Sequence, residues 1–181
     1  MYIAQELRSK NIAEYLLYMW QVEDLLRACH FEVEKLSHDY LSRFRFTPGQ
    51  LDEVAGWYGQ LAEMMREEHL TEKGHLQINA NIIIWLTDLH SRLLHSSKHP
   101  FYTAAYYKVL PYIVELRAKN KADADKPEIE TCFDALYGLM LLHLQKKEVS
   151  GETELAMGEI SKFVSMLAGY YRQDKDNTLE L

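Results

Sequence analysis

Apolar residues recurring at three- and four-residue spacing dominate this chain and predict helices from end to end. The first forty-seven residues, Met1 to Thr47, hold neither glycine nor proline. From Ile12 to Cys29 they are so rich in Leu, Tyr, Met and Trp that little of the circumference can face water, which predicts a buried central helix. A continuous helix from Tyr2 to Phe44 would extend about 65 Å at about 1.5 Å per residue, well beyond the diameter of a globule of this chain length. A break near Cys29 to Glu32 is therefore expected, with a second stripe of Val33, Leu36, Tyr40, Leu41 and Phe44 beyond it. An unbroken, protruding helix would instead require a helical partner, most simply a second copy of the chain.

Thr47-Pro48-Gly49-Gln50 signals the next helix: threonine can accept the free amide three residues on, proline pre-sets the first dihedral, and glutamine can reach back. Leu51, Val54, Ala55, Tyr58, Leu61, Ala62 and Met65 form its stripe, and Gly74 is the expected left-handed cap. The segment His75 to about Ser96 carries Ile82-Ile83-Ile84-Trp85-Leu86, so Trp85, like Trp20, is expected in the interior. Pro100 opens a further helix, which Pro111 should kink or break near Leu110. Lys119 to Lys126 reads as a polar loop; Pro127 then starts a helix through Cys132, Leu136, Leu139, Met140 and His143 to about Lys147. Ser150-Gly151 separates it from a last helix with the stripe Ala156, Ile160, Phe163, Val164, Leu167 and Tyr171. The expectation is an all-α, single-domain helical bundle of six or seven helices over residues 1–173, with a charged, frayed tail at 174–181.

Composition narrows the function classes. At 181 residues and 48% apolar content, a chain of this size buries about 70% of its unfolded surface and needs no staples. Cys29 and Cys132 lie in apolar helical surroundings and no signal-peptide pattern follows Met1, which reads as reduced core thiols in a cytoplasmic protein. The longest stretch free of Asp, Glu, Lys and Arg, Gly74 to Thr87, includes His75, Gln77, Asn79 and Asn81. It falls short of the roughly 18 apolar residues of a membrane span, so no membrane association is expected. The net charge is −7 and the basic residues are dispersed, the richest clusters (Arg117 to Lys126, and Lys146 with Lys147) standing at predicted helix ends. That pattern argues against a nucleic-acid partner.

Candidate chemistry is scattered. His30, Glu34 and His38 have the i, i+4, i+8 spacing of ligands on one helix face, but at about 100° per residue they drift away from the stripe through Val33 and Leu36 and read as a solvated rim. Of the Glu-x-x-His pairs that build carboxylate-bridged metal centres, only Glu72-Lys73-Gly74-His75 occurs, across a helix end. The zincin His-Glu-x-x-His, the phosphate-binding Gly-x-x-x-x-Gly-Lys, paired Cys-x-x-Cys and a serine nucleophile elbow are absent. Polar residues within apolar faces are more informative: Glu14 and Gln21, seven apart in the first helix, and Asn79 and His90 in the Ile82 helix. Buried polar groups need partners, so the plain reading is a structural network and the sharper one a ligand pocket. Gly56 and Gly59 flank Trp57 and Tyr58 at a helix-destabilising cost that points to close helix approach, and most of the tyrosines fall at or beside core positions.

The opening Tyr2-Ile3-Ala4-Gln5-Glu6-Leu7 and the run Asn11-Ile12-Ala13-Glu14-Tyr15-Leu16-Leu17-Tyr18-Met19-Trp20-Gln21-Val22-Glu23-Asp24 resemble the start of a bacterial family, domain-of-unknown-function family 4924, found mainly in Bacteroidetes. The resemblance covers the whole chain and implies a compact protein without assigned activity, so it transfers no catalytic or binding residue. Two readings follow. The first is a non-catalytic cytosolic helical protein acting through self-association or a protein partner, with no cofactor and no metal. The second is a ligand-binding or metal-dependent bundle that uses Glu14, Gln21 and His90 as interior polar anchors. The lack of a catalytic constellation favours the first.

Overall fold

Helices of this protein repeatedly end where a residue other than glycine turns left-handed. His30, His69, Lys146 and Asn177 have φ between 54° and 58°. In each case the following amide donates to a carbonyl five positions back, Phe31 to Leu26, Leu70 to Met65, Lys147 to Leu142 and Thr178 to Gln173, at 2.8–3.0 Å. This closure satisfies helix-terminal carbonyls that would otherwise lack donors. The computed structural model describes residues 2–119 and 126–181. Over them run α1 (Tyr2–Lys10), α2 (Ile12–Ala28), α3 (Val33–Asp39), a 3-10 turn (Leu41–Arg43), α4 (Pro48–Glu67), α5 (Gln77–His95), α6 (Pro100–Lys119), α7 (Glu128–Leu144) and α8 (Gly151–Lys175). The protein is all-α; no strand occurs among the described residues.

The break expected near Cys29 to Glu32 is present, made by His30 and Phe31 in succession at φ 55° and 62°. A second interruption falls at Asn11, whose Oδ1 accepts from the Ala13 amide at 3.1 Å and caps α2. It detaches α1 and adds a helix to the expected six or seven. Gly74 does turn left-handed, at φ 90°, but it caps nothing; α4 ends at Glu67 and His69 closes it. Pro111 does not break α6, which runs unbroken through it. Most of the expected loop, 120–125, lies outside the described residues. The α4 start follows the sequence: the Gln50 amide donates to Thr47 Oγ1 at 3.4 Å, and the Thr47 amide to Gln50 Oε1 at 3.0 Å.

Two compact units form, Met1–Lys10 with Glu14–Asn81, and Asn11–Ala13 with Ile82–Leu181. The first buries Leu16, Met19, Trp20, Val22 and Leu26 of α2 and Val54, Tyr58, Leu61, Ala62 and Met65 of α4. In the second, α6, α7 and α8 pack on one another. Their buried residues include Tyr102, Val109, Ile113, Cys132, Phe133, Ile160, Phe163, Val164 and Leu167. Trp85 corrects the sequence reading: it is 45% exposed, beside Ile84 at 58%. Five consecutive residues at about 100° each sweep more than a full turn, so Ile82, Ile83 and Leu86 can face inward only if Ile84 and Trp85 face out. Lys175 Nζ lies 4.8 Å from the Trp85 ring centroid and covers part of it. No helix among the described residues is long and apolar enough to cross a membrane.

Candidate functional site

The buried stripe of α2 runs Leu16, Met19, Trp20, Glu23, Leu26, and the interior carboxylate is therefore Glu23. Glu14 is exposed and Gln21 half-buried, since both sit on the flank of that stripe. This corrects the expectation that Glu14 is shielded. Glu23 is wholly buried and takes three partners: its Oε1 accepts from the Leu76 amide at 3.0 Å and from Asn79 Nδ2 at 2.7 Å, and its Oε2 stands 2.6 Å from His75 Nδ1. The His75 imidazole stacks on the Trp20 indole at 4.0 Å between centroids.

Because Leu76 precedes the first turn of α5, the Glu23 carboxylate also meets the positive end of that helix, as does Glu68, whose Oε2 accepts from the Gln77 amide at 2.7 Å. Arg27, one turn beyond Glu23, donates from Nε to the Leu70 carbonyl at 3.1 Å and from its terminal nitrogens to the Gly74 carbonyl and Asp24. Together these contacts fasten the segment between α4 and α5 to α2. Their arrangement is that of a structural clamp. His75 is its partly exposed member, and because Glu72 and His75 both lie between α4 and α5, outside any helix, they do not act as a helical pair.

His90 is buried in the second unit. Its Nδ1 is 2.7 Å from the Tyr102 hydroxyl and its Nε2 3.9 Å from Glu128 Oε2, which accepts from the Tyr106 hydroxyl at 2.9 Å. The rings of Tyr102, Tyr106 and Phe163 meet the imidazole edge-on, with centroids 4.9–5.8 Å away. Burial holds the His90 pKa below its ordinary value against the pull of Glu128. It likewise pushes Cys132 up to about 12 and, helped by the hydrogen bond to Glu128, Tyr106 to about 12. A thiol so held stays protonated at neutral pH and is a poor nucleophile. The group is a satisfied polar node in an aromatic core. None of Glu14, Gln21 and His90 lines a cleft described below. Among the described residues no group of three or more His, Cys, Asp and Glu could hold a metal ion. His30 caps α2 and lies outside α3, so it shares no helix with Glu34 and His38.

What sequence reasoning missed lies on either side of α1. This nine-residue helix buries only Ala4. On one side an aromatic groove of about 110 Å³ is walled by Tyr2, Ile3, Tyr18, Phe44, Phe46 and Tyr58. The Tyr18 and Tyr58 hydroxyls pair with each other, and Tyr2 donates to Glu53. Phe44 and Phe46 reach the groove from extended backbone, at φ −99° and ψ 148° for Phe44, with ring centroids 5.7 Å apart. On the other side, Gln5 and Arg8 of α1 face Tyr15 and the α4 residues Trp57, Gln60 and Met64 across a cleft of about 340 Å³. Only the alternation Arg43-Phe44-Arg45-Phe46 hinted at the first in the sequence; nothing in it marks the second.

Comparison with curated proteins and with solved structures yields no match. The chain as a whole is accounted for by one family: the model described as Domain of unknown function (DUF4924) matches residues 1–178, and the protein belongs to that family.

Proposed function

We propose that this protein is a non-catalytic, cytoplasmic interaction protein that accepts an apolar segment of a partner protein in the aromatic groove beside α1. The observation that carries the reading is the exposure of Tyr2, Ile3 and Phe44, at 45%, 52% and 45%, around one groove. The exposed halves of three large apolar side chains meet at one place, and such patches mark docking surfaces. Arg43, whose charge also acts on Asp39, and Arg45 alternate with the groove phenylalanines and favour a partner segment with acidic flanks. The chain's net charge of −7 argues against nucleic acid in that role, and the free, buried Cys29 and Cys132 fit a reducing compartment. Native mass spectrometry of protein isolated from its own source tests the proposal. The wild type should retain a protein partner or a second copy, and Phe44→Ser should lose it while remaining folded. Isolation of the wild type as a bare monomer, or the same complex from the variant, would overturn it.

A further inference from the structure

We propose that the cleft on the other side of α1 binds a small planar aromatic carboxylate. Its size, about 340 Å³, falls within the range of about 300–1,000 Å³ typical of small-molecule sites. Trp57 and Met64, both half-buried, offer aromatic and thioether surfaces on which a flat apolar body packs well, and the buried Tyr15 forms the floor beneath Arg8. At the edge stands Arg8, its guanidinium 5.7 Å from the centroid of the Tyr15 ring. Arg27, Arg66 and Arg92 each pair with a carboxylate of this acidic chain. Arg8 pairs with none among the described residues and keeps its forked donors for an external acceptor.

The lining fixes the ligand class. Among the described residues Arg8 is the only charged side chain that lines the cleft, and Gln5 and Gln60 add amide donors and acceptors. A phosphate would need further cations to balance its second charge, whereas one guanidinium matches one carboxylate in a bidentate pair. A cationic ligand would meet Arg8 and no carboxylate. An aliphatic acid would leave the half-buried Trp57 ring unmatched. The remaining fit is a carboxylate on an aromatic ring system, its ring against Trp57 and Met64 and its charge on Arg8, which lies over the buried Tyr15 ring.

Calorimetric titration of the full chain with 2-naphthoate, and with its neutral analogue 2-naphthamide, tests this assignment. The wild type should bind one equivalent of the acid saturably and the amide at least about tenfold more weakly, the scale of a lost charge-assisted bond. Arg8→Gln, at an exposed helix position, should lower affinity for the acid about tenfold with an unchanged melting temperature and leave amide binding as it was. Arg8→Lys should fall between, and Trp57→Leu should weaken both ligands. Absence of saturable binding, equal affinity for acid and amide, or an Arg8→Gln titration identical to the wild type would each refute the site. The aromatic groove plays no part in these readouts, so failure here leaves the partner proposal standing and success does not establish it.

Discussion

In the unit that includes Ile82–Leu181, Tyr102, Tyr106 and Phe163 close around His90, and the two tyrosine hydroxyls pair with the buried His90 and the half-buried Glu128. In the unit that includes Glu14–Asn81, tyrosines and phenylalanines line an open groove, and Tyr2, Ile3 and Phe44 are about half exposed. The same residue types therefore serve opposite ends. Where Tyr102 and Tyr106 complete a network, aromatic area is spent on cohesion; where Tyr2 and Phe44 wall a groove, it is left available. The first unit can leave it so because its own cohesion comes from elsewhere, the Glu23 clamp and the α2 and α4 stripes.

The largest expected effect tests that division. Glu23→Ala leaves the Leu76 amide, Asn79 Nδ2 and His75 without their acceptor and should cost about 3 kcal/mol or more, read from urea unfolding. Glu23→Gln keeps an acceptor for Leu76 and Asn79 and should cost roughly 1 kcal/mol. A loss under about 1 kcal/mol for the alanine variant would show that the first unit does not depend on the clamp.

A smaller, pH-dependent effect belongs to the second unit. Burial depresses the His90 pKa in the folded state, so between that value and the unfolded value of about 6.5 the unfolded chain binds more protons. The stability that neutral His90 supports is complete above about pH 6.5 and declines as the pH falls toward the folded pKa, by about 1.4 kcal/mol for each unit separating the two values. Glu128 opposes the shift, while the Tyr102 and Tyr106 hydroxyls stay protonated throughout. Denaturation at pH 7 and pH 5 should show the wild type losing more stability than His90→Gln over this interval; parallel losses would place His90 outside the core.

Gly56 supplies the smallest. A Cβ there would meet nothing within 4 Å, and at Gly59 it would meet only Val33, at 3.8 Å. Close helix approach, which the sequence suggested, does not explain Gly56. Gly56→Ala should raise stability by about 1 kcal/mol, and a decrease in thermal melting would reveal a constraint on the α4 backbone.

These cases show what the sequence could and could not disclose. The helical stripes were legible because Leu51 to Met65 and Ala156 to Tyr171 each repeat on one face, and the Thr47 box and Ser150 marked their starts. Helix ends were less so: His30, His69 and Lys146 occupy left-handed positions where glycine is the recognised signal, and Asn11 caps α2 inside a run that reads as continuous. Glu23 was readable in principle, since the stripe Leu16-Met19-Trp20-Glu23-Leu26 passes through it, whereas seven-residue spacing picks out Glu14 and Gln21 on the flank. The groove and the Arg8 cleft arise from the packing of α1 against segments far along the chain, and no local pattern encodes that.

Photo-crosslinking from inside the groove tests the central claim most directly. A benzophenone amino acid placed at position 44, and as a control at position 107 on the exposed face of α6, where Tyr107 is 63% exposed, is irradiated in cells of the protein's own source. Position 44 should yield a discrete adduct with one protein, or with a second copy, that position 107 does not. Adducts of equal kind and amount from both positions, or none from position 44, would contradict the account.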